Sequence, residues 1–181
     1  MFMLILQPAK AWGELDATEE KQEDFLSRFV YPVVGILTLV AFISIFITRI
    51  EFDFEIALRL AIKVLVAAFG GFFLAAYLLN EICAGIFHRE KDMRLCQRFV
   101  GYSSAFMALL IMAWFLIPEF FFLLIFILYT ARIVWDGAVT YMHVDKDDQL
   151  KFTLWASAVI ILTPILLYFL MGLFMPGFSE L

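Results

Sequence analysis

From residue 30 onward, long apolar runs alternate with short polar stretches. A helix needs about 20 apolar residues to cross the hydrocarbon core of a bilayer. Five runs meet that length, at about Val30 to Thr48, Leu60 to Leu79, Phe99 to Ile117, Phe120 to Met142 and Phe152 to Met175. The third and fourth are joined almost without a loop, through Pro118 and Glu119. These spans leave no room for a separate soluble domain. Ahead of them, Met1 to Leu6 is apolar but too short, and lacks the basic flank, for a signal peptide or a span. Pro8 opens a helical stretch to Leu15, with Trp12 suited to the headgroup level. Residues 1–15 are therefore expected as an interfacial amphipathic helix on the cytoplasmic leaflet. Residues 16–28 read as a solvated helix, with Asp16 as N-cap and Glu19 three positions on. The predicted organisation is a cytoplasmic N-terminal segment, 1–28, and a five-span domain, 29–181.

Composition removes the soluble alternative. Hydrophobic residues make up 64% of the 181, against about 45–50% in an ordinary globular chain. Twenty-two phenylalanines and a mean hydropathy of +0.94 are more than one soluble core of this size can hide. The expected fold class is all-α, an integral membrane five-helix bundle. A net charge of −5 offers no basic face for nucleic acid. Lys and Arg set the orientation. Lys10, Lys21, Arg28, Arg89, Lys91, Arg94, Arg98, Lys146 and Lys151 share the N-terminal side, against Arg49, Arg59 and the inset Lys63 opposite. The N-terminus is expected inside and the C-terminus outside, in a bacterial cytoplasmic membrane.

Polar groups within the spans carry the candidate chemistry. Arg132 and Asp136 in the fourth span are spaced i, i+4, so one helical face presents both and each offsets the other's charge. Tyr129 and Thr140 lie near that face, which is expected to point into the bundle. Tyr102, Ser103 and Ser104 of the third span are candidate partners. The pair reads either as a structural ion pair pinning helix register or as a proton or ion relay or polar substrate pocket, with the balance toward structure. Glu55, Arg59 and Lys63 follow at i, i+4 and i+8 and read as a solvated helix start, Lys63 snorkelling outward. Arg49 to Glu55 alternates apolar and charged residues, as in a short extended loop, and Glu51, Asp53 and Glu55 give thin support to a cation site. Ala67, Gly71 and Ala75, with Gly70, form a small-residue packing face that serves either within a protomer or between protomers. Pro32 and Pro164 are candidate kinks.

Catalytic and metal signals are absent. Gly101-Tyr-Ser-Ser-Ala105 lacks the strand and final glycine of a nucleophile elbow. Cys83, His88 and Cys96 lack the close spacing of structural zinc sites. The two cysteines fall near the cytoplasmic side, where free thiols are expected. No enzymatic activity, cofactor or metal is expected.

The order of several short motifs resembles the Ypt-interacting-protein (Yip) domain family, in particular its short bacterial members. The matching pieces are Pro8-Ala-Lys-Ala-Trp12 ahead of the first span, Phe69-Gly-Gly-Phe-Phe-Leu74 in the second, and Gly101-Tyr-Ser-Ser104 opening the third. The five-span layout agrees. The resemblance implies a helical bundle without known catalysis; eukaryotic relatives meet Rab-type GTPases and shape organelles. This chain lacks their long N-terminal region and their Asp-Leu-Trp-Gly-Pro-Leu motif, which places GTPase binding in doubt.

Three functions follow as expectations. The first is a non-enzymatic organiser of membrane or protein partners. Its cytoplasmic surface would include Trp12, His88, Arg89, Lys91, Arg94 and Arg98, able to meet lipid headgroups or a protein partner. The second is a small-solute or ion transporter or channel centred on Arg132 and Asp136. The third is a subunit of a larger complex or homo-oligomer, docked through the Gly70-Gly71 face.

Overall fold

The computed structural model describes residues 2–18, 21–48 and 53–174. Every regular element among them is helical. Two short helices, α1 (Phe2–Leu6) and α2 (Pro8–Asp16), precede five long ones. These are α3 (Gln22–Thr48), α4 (Phe54–Ile86), α5 (Met93–Leu116), α6 (Pro118–Thr140) and α7 (Gln149–Phe174), each long and apolar enough to cross a membrane. All five expected spans are present. The chain runs up and down through them, so α1, α2 and the loops after α4 and α6 share one end, called here the N-terminal face.

The helices outrun their apolar cores. At about 1.5 Å per residue, the 33 residues of α4 reach about 50 Å, well beyond a hydrocarbon core of about 30 Å. Asp53 caps this helix, its Oδ1 accepting from the Ile56 amide at 3.0 Å. Asp92 caps α5 in the same way through the Leu95 amide. Glu55 pairs with Arg59 within the first turns of α4, so Asp53 and Glu55 both serve the helix start. Arg49, Glu51, Glu19 and Met175 lie outside the described residues.

One expectation about the N-terminal region is corrected: Asp16 ends α2 rather than capping a following helix. The helix that carries the first span begins at Gln22, so residues 22–28 are continuous with it. Leu26–Val30 widens to a π-helical turn. Pro32 explains the widening: its ring would strike the carbonyl of residue 28 in a regular helix, and a wider turn moves that carbonyl away. The turn also aligns Phe25 and Phe29, whose rings stack at 5.8 Å.

The fourth span is composite. Pro118–Leu128 is a tight 3-10 helix with no buried residue, and Tyr129–Thr140 is α-helical. A 3-10 helix rises about 2.0 Å per residue, so this exposed half gains length after the abrupt Ile117-Pro118 corner.

Helices α4 and α6 end alike. His88 and His143 take left-handed backbone conformations, with φ of 51° and 50°. The amides that follow turn back, Arg89 to the Cys83 carbonyl and Val144 to the Ala138 carbonyl. Histidine tolerates this region better than most side chains, and each turn occupies a helix-end carbonyl.

The small-residue stripe packs within the protomer. A β-carbon on Gly71 would stand 2.8 Å from Pro164 Cα and Cβ, so α4 and α7 touch backbone to backbone. Ala67 and Ala75 are buried beside it, and a β-carbon on Gly70 would meet only the tip of Leu167, at 3.2 Å. Of the two alternatives for this face, packing within the protomer is the one seen at Gly70 and Gly71, where α7 lies against α4. Gly71→Ala should therefore lower stability by about 1–3 kcal/mol through overpacking. Gly70→Ala should cost less, since a leucine tip can rotate. Thermal unfolding of both variants in one detergent checks the order.

Candidate functional site

Trp12 is the pivot of the N-terminal face. It is 0% exposed, and its indole N–H donates to the Ile133 carbonyl at 2.9 Å. Its ring stacks on Phe99 at 5.2 Å, meets Tyr141 at 5.0 Å and lies edge-on to Tyr102 at 6.3 Å. Gly137 makes the slot: a β-carbon there would fall 2.6 Å from the indole and 2.8 Å from Phe99. The expectation that Trp12 sits at the headgroups on an exposed surface is thus corrected. An amphipathic helix can hide its apolar face in lipid or in protein, and here α5 and α6 offer a fitted slot with a carbonyl for the indole N–H.

A second aromatic plug sits alongside. Phe25, also 0% exposed, lies 5.1 Å from Tyr102 and 6.4 Å from Phe72. A β-carbon on Gly101 would strike its ring at 2.6 Å. Phe29 adds a contact with Tyr102 at 4.7 Å. Trp12, the Phe69–Leu74 stretch and the Gly101-Tyr102 pair therefore converge on one aromatic cluster. Phe25 was missed in sequence because acidic neighbours mask it; its i, i+4 spacing to Phe29, one residue before the apolar run, was the available signal.

Polar contacts brace the same face. Gln22 donates to Gln97 at 2.6 Å and accepts from Arg98 Nε at 3.2 Å, tying the start of α3 to α5. Arg89 donates to the Met142 carbonyl, joining the two loops. His143 Nε2 lies 3.4 Å from Asp16 Oδ1, joining α2 to the second loop. Lys91 pairs with Glu81 at 2.6 Å, a hydrogen bond that raises the lysine pKa above its ordinary value. Of the expected surface residues, Arg89 and Arg98 thus serve as braces, whereas His88, Lys91 and Arg94 remain exposed.

Arg132 and Asp136 do form an ion pair, at 3.3 Å. Their orientation differs from the expectation. Asp136 is 11% exposed and Arg132 59%, because the bundle side of this half-helix is taken by Thr130, Ile133, Val134, Gly137 and Ala138. The pair lies on the flank, within the last three turns before the N-terminal face. Ser104 donates to the Gly101 carbonyl of its own helix, and Ser103 is buried with no hydrogen-bond partner for its hydroxyl; neither serves the pair. The rings of Tyr102 and Tyr129 pack in aromatic contacts, the latter on Phe106. Lys63 is likewise buried rather than snorkelled outward, with its ammonium 3.9 Å from the Tyr168 ring centroid in a cation–π contact. Both cysteines are free and buried. Among the described residues no cluster of His, Cys, Asp or Glu could hold a metal.

Between the helices lies a half-open cavity of about 400 Å³. Its walls come from α3, α4, α5, α7 and the 3-10 half of α6, and are almost entirely hydrocarbon.

The Yip1 domain model matches residues 2–174. The chain belongs to the Yip1 domain family. It is a multi-pass integral membrane protein, and the family match includes α1 and α2, consistent with their being packed into the bundle. Among curated proteins and among solved structures, none matches it significantly.

The slot geometry yields a prediction for this Yip1-domain chain. Trp12→Ala should cost about 3–5 kcal/mol, as for other buried tryptophans, and should free residues 2–18 for proteolysis. Trp12→Phe keeps the ring contacts, loses the indole hydrogen bond, and should cost about 1 kcal/mol. Limited proteolysis in detergent, read beside unfolding temperature, separates the two.

Proposed function

We propose that this Yip1-domain protein is a non-enzymatic organiser of membrane or protein partners, working through its N-terminal face, which is turned to the cytoplasm. One observation carries the reading. The braces from Gln22, Arg89, Arg98 and His143 join three separate segments into one plate. The polar and charged side chains not used in bracing, His88, Glu90, Arg94, Asp145, Lys146, Asp147 and Asp148, stand exposed on it. A pre-organised polar surface loses little entropy on binding, which suits a recognition role. The cytoplasmic placement rests on the excess of Lys and Arg at this end.

The transporter reading has less to stand on. It needs polar groups along a path, yet the interior cavity is hydrocarbon-lined and Arg132 faces outward. Replacement by leucine tests the pair. Arg132→Leu strands the sheltered Asp136 carboxylate, whereas Asp136→Leu leaves an arginine that can still reach polar surroundings. The first should therefore lower the unfolding temperature more, and the double change should recover part of the loss. A transport role would instead show as lost solute flux in all three variants while they stay folded.

The organiser reading is tested by affinity capture from native membranes in mild detergent. The wild-type chain should retain a stoichiometric partner. Arg94→Glu with Lys146→Glu, neither of which is a brace, should release it while stability changes by no more than about 0.5 kcal/mol. Equal capture by both proteins, or no partner with either, would remove this reading.

A further inference from the structure

We propose that the interior cavity is a binding site for one acyl chain of a bilayer phospholipid. The argument begins with what could fill it. Water needs two to four polar partners in such a space. The cavity offers almost none: its walls are almost entirely hydrocarbon, and the Ser104 hydroxyl is engaged by the Gly101 carbonyl. Left empty, the walls forfeit dispersion contacts. Hydrocarbon restores them without any polar cost.

Shape narrows the choice. Along α5 the lining runs from Val100 to Phe115, about 22 Å at helical rise, so the cavity is long and follows the helix axes. That is the direction of a bilayer acyl chain and an elongated shape that suits one, rather than a compact solute. Its volume falls within the range of about 300–1,000 Å³ typical of ligand sites.

Access fixes the source. The 3-10 half of α6 packs on α5, and α7 packs on α4. Leu124 and Ile127 line the cavity from the first, Ile165 and Phe169 from the second. Phe169 is 68% exposed, and Leu162, Leu166 and Leu173 continue the exposed apolar face of α7. The cavity wall is therefore continuous with the lipid-facing surface, at a depth where phospholipid chains are the surrounding medium. The chain enters sideways, with its headgroup left at the membrane surface.

Photolabelling tests the site. The full-length protein is placed in phosphatidylcholine vesicles containing phosphatidylcholine with a diazirine midway along one chain, and labelled residues are mapped. Labelling at Ala67 and Ala108, inside the cavity, should saturate as the probe fraction rises; labelling at outward-facing Ile36 and Leu154 should rise in proportion to it. Ala108→Phe should lower labelling at Ala67 about tenfold, the effect of about 1.4 kcal/mol of lost affinity, and leave Leu154 unchanged. Should that variant not fold, the wild-type saturation curve decides alone. Proportional labelling at all four positions would overturn the proposal. So would saturation with a diazirine palmitic acid but not with the phospholipid, which would assign the site to free fatty acid.

Discussion

Helices surrounded by lipid gain little by hiding apolar surface from one another, so association depends on close atomic contact. Three glycines provide it here. Gly71 lets α4 lie on the backbone of Pro164, Gly101 admits the Phe25 ring, and Gly137 admits Trp12. The first holds two spans together; the other two seat Phe25, at the start of α3, and Trp12, in α2, within the bundle. Each contact is too close for a β-carbon, so each fixes a single helix arrangement rather than a range of them.

The last two contacts make the N-terminal face rigid enough for its polar groups to matter. Exposed ion pairs and side-chain hydrogen bonds contribute little individually, and those of Arg89, Arg98 and His143 could not order three loose segments. They act on segments already positioned by buried rings. Arg98 reaches Gln22 because Phe25, one turn later, is held by Tyr102 and Phe72. His143 meets Asp16 because Trp12, one turn earlier, is seated beside Tyr141. The functional reading of this face as a plate therefore depends on two aromatic plugs and not on the charges themselves.

The spans were legible in the sequence because a run of about 20 apolar residues has few other uses. Their close-packed stripe was legible too, as Ala67, Gly71 and Ala75 stand four residues apart. What covers that stripe was not, because a small residue shows that something approaches closely and not which helix does. Trp12 illustrates a second limit. A tryptophan on a short amphipathic helix has the same pattern whether the helix lies on lipid or docks in protein, and only the Gly137 slot separates the cases. Lys63 and Arg132 show a third. Helical spacing places charges on a common stripe, but whether the stripe turns inward depends on which neighbours occupy the other faces. Lys63 turned in beneath Tyr168, whereas Arg132 turned out because Ile133 and Gly137 had claimed the interior.

The cavity and the plate share a wall. Phe29, Phe72 and Gly101 line the cavity. Phe29 and Phe72 also touch Phe25, and Phe29 touches Tyr102, on which Trp12 rests edge-on. A hydrocarbon chain lying in the cavity would press on Phe29 and Phe72, which hold Phe25 and, through Tyr102, border the Trp12 slot. Because interiors are close-packed, displacement of one ring is passed to its neighbours rather than absorbed. Thermodynamic linkage then runs both ways: any change that occupancy makes in the docking of α2 is matched by an equal effect of α2 docking on occupancy. This chain of ring contacts is a contiguous physical route between the polar N-terminal face and the proposed acyl-chain site.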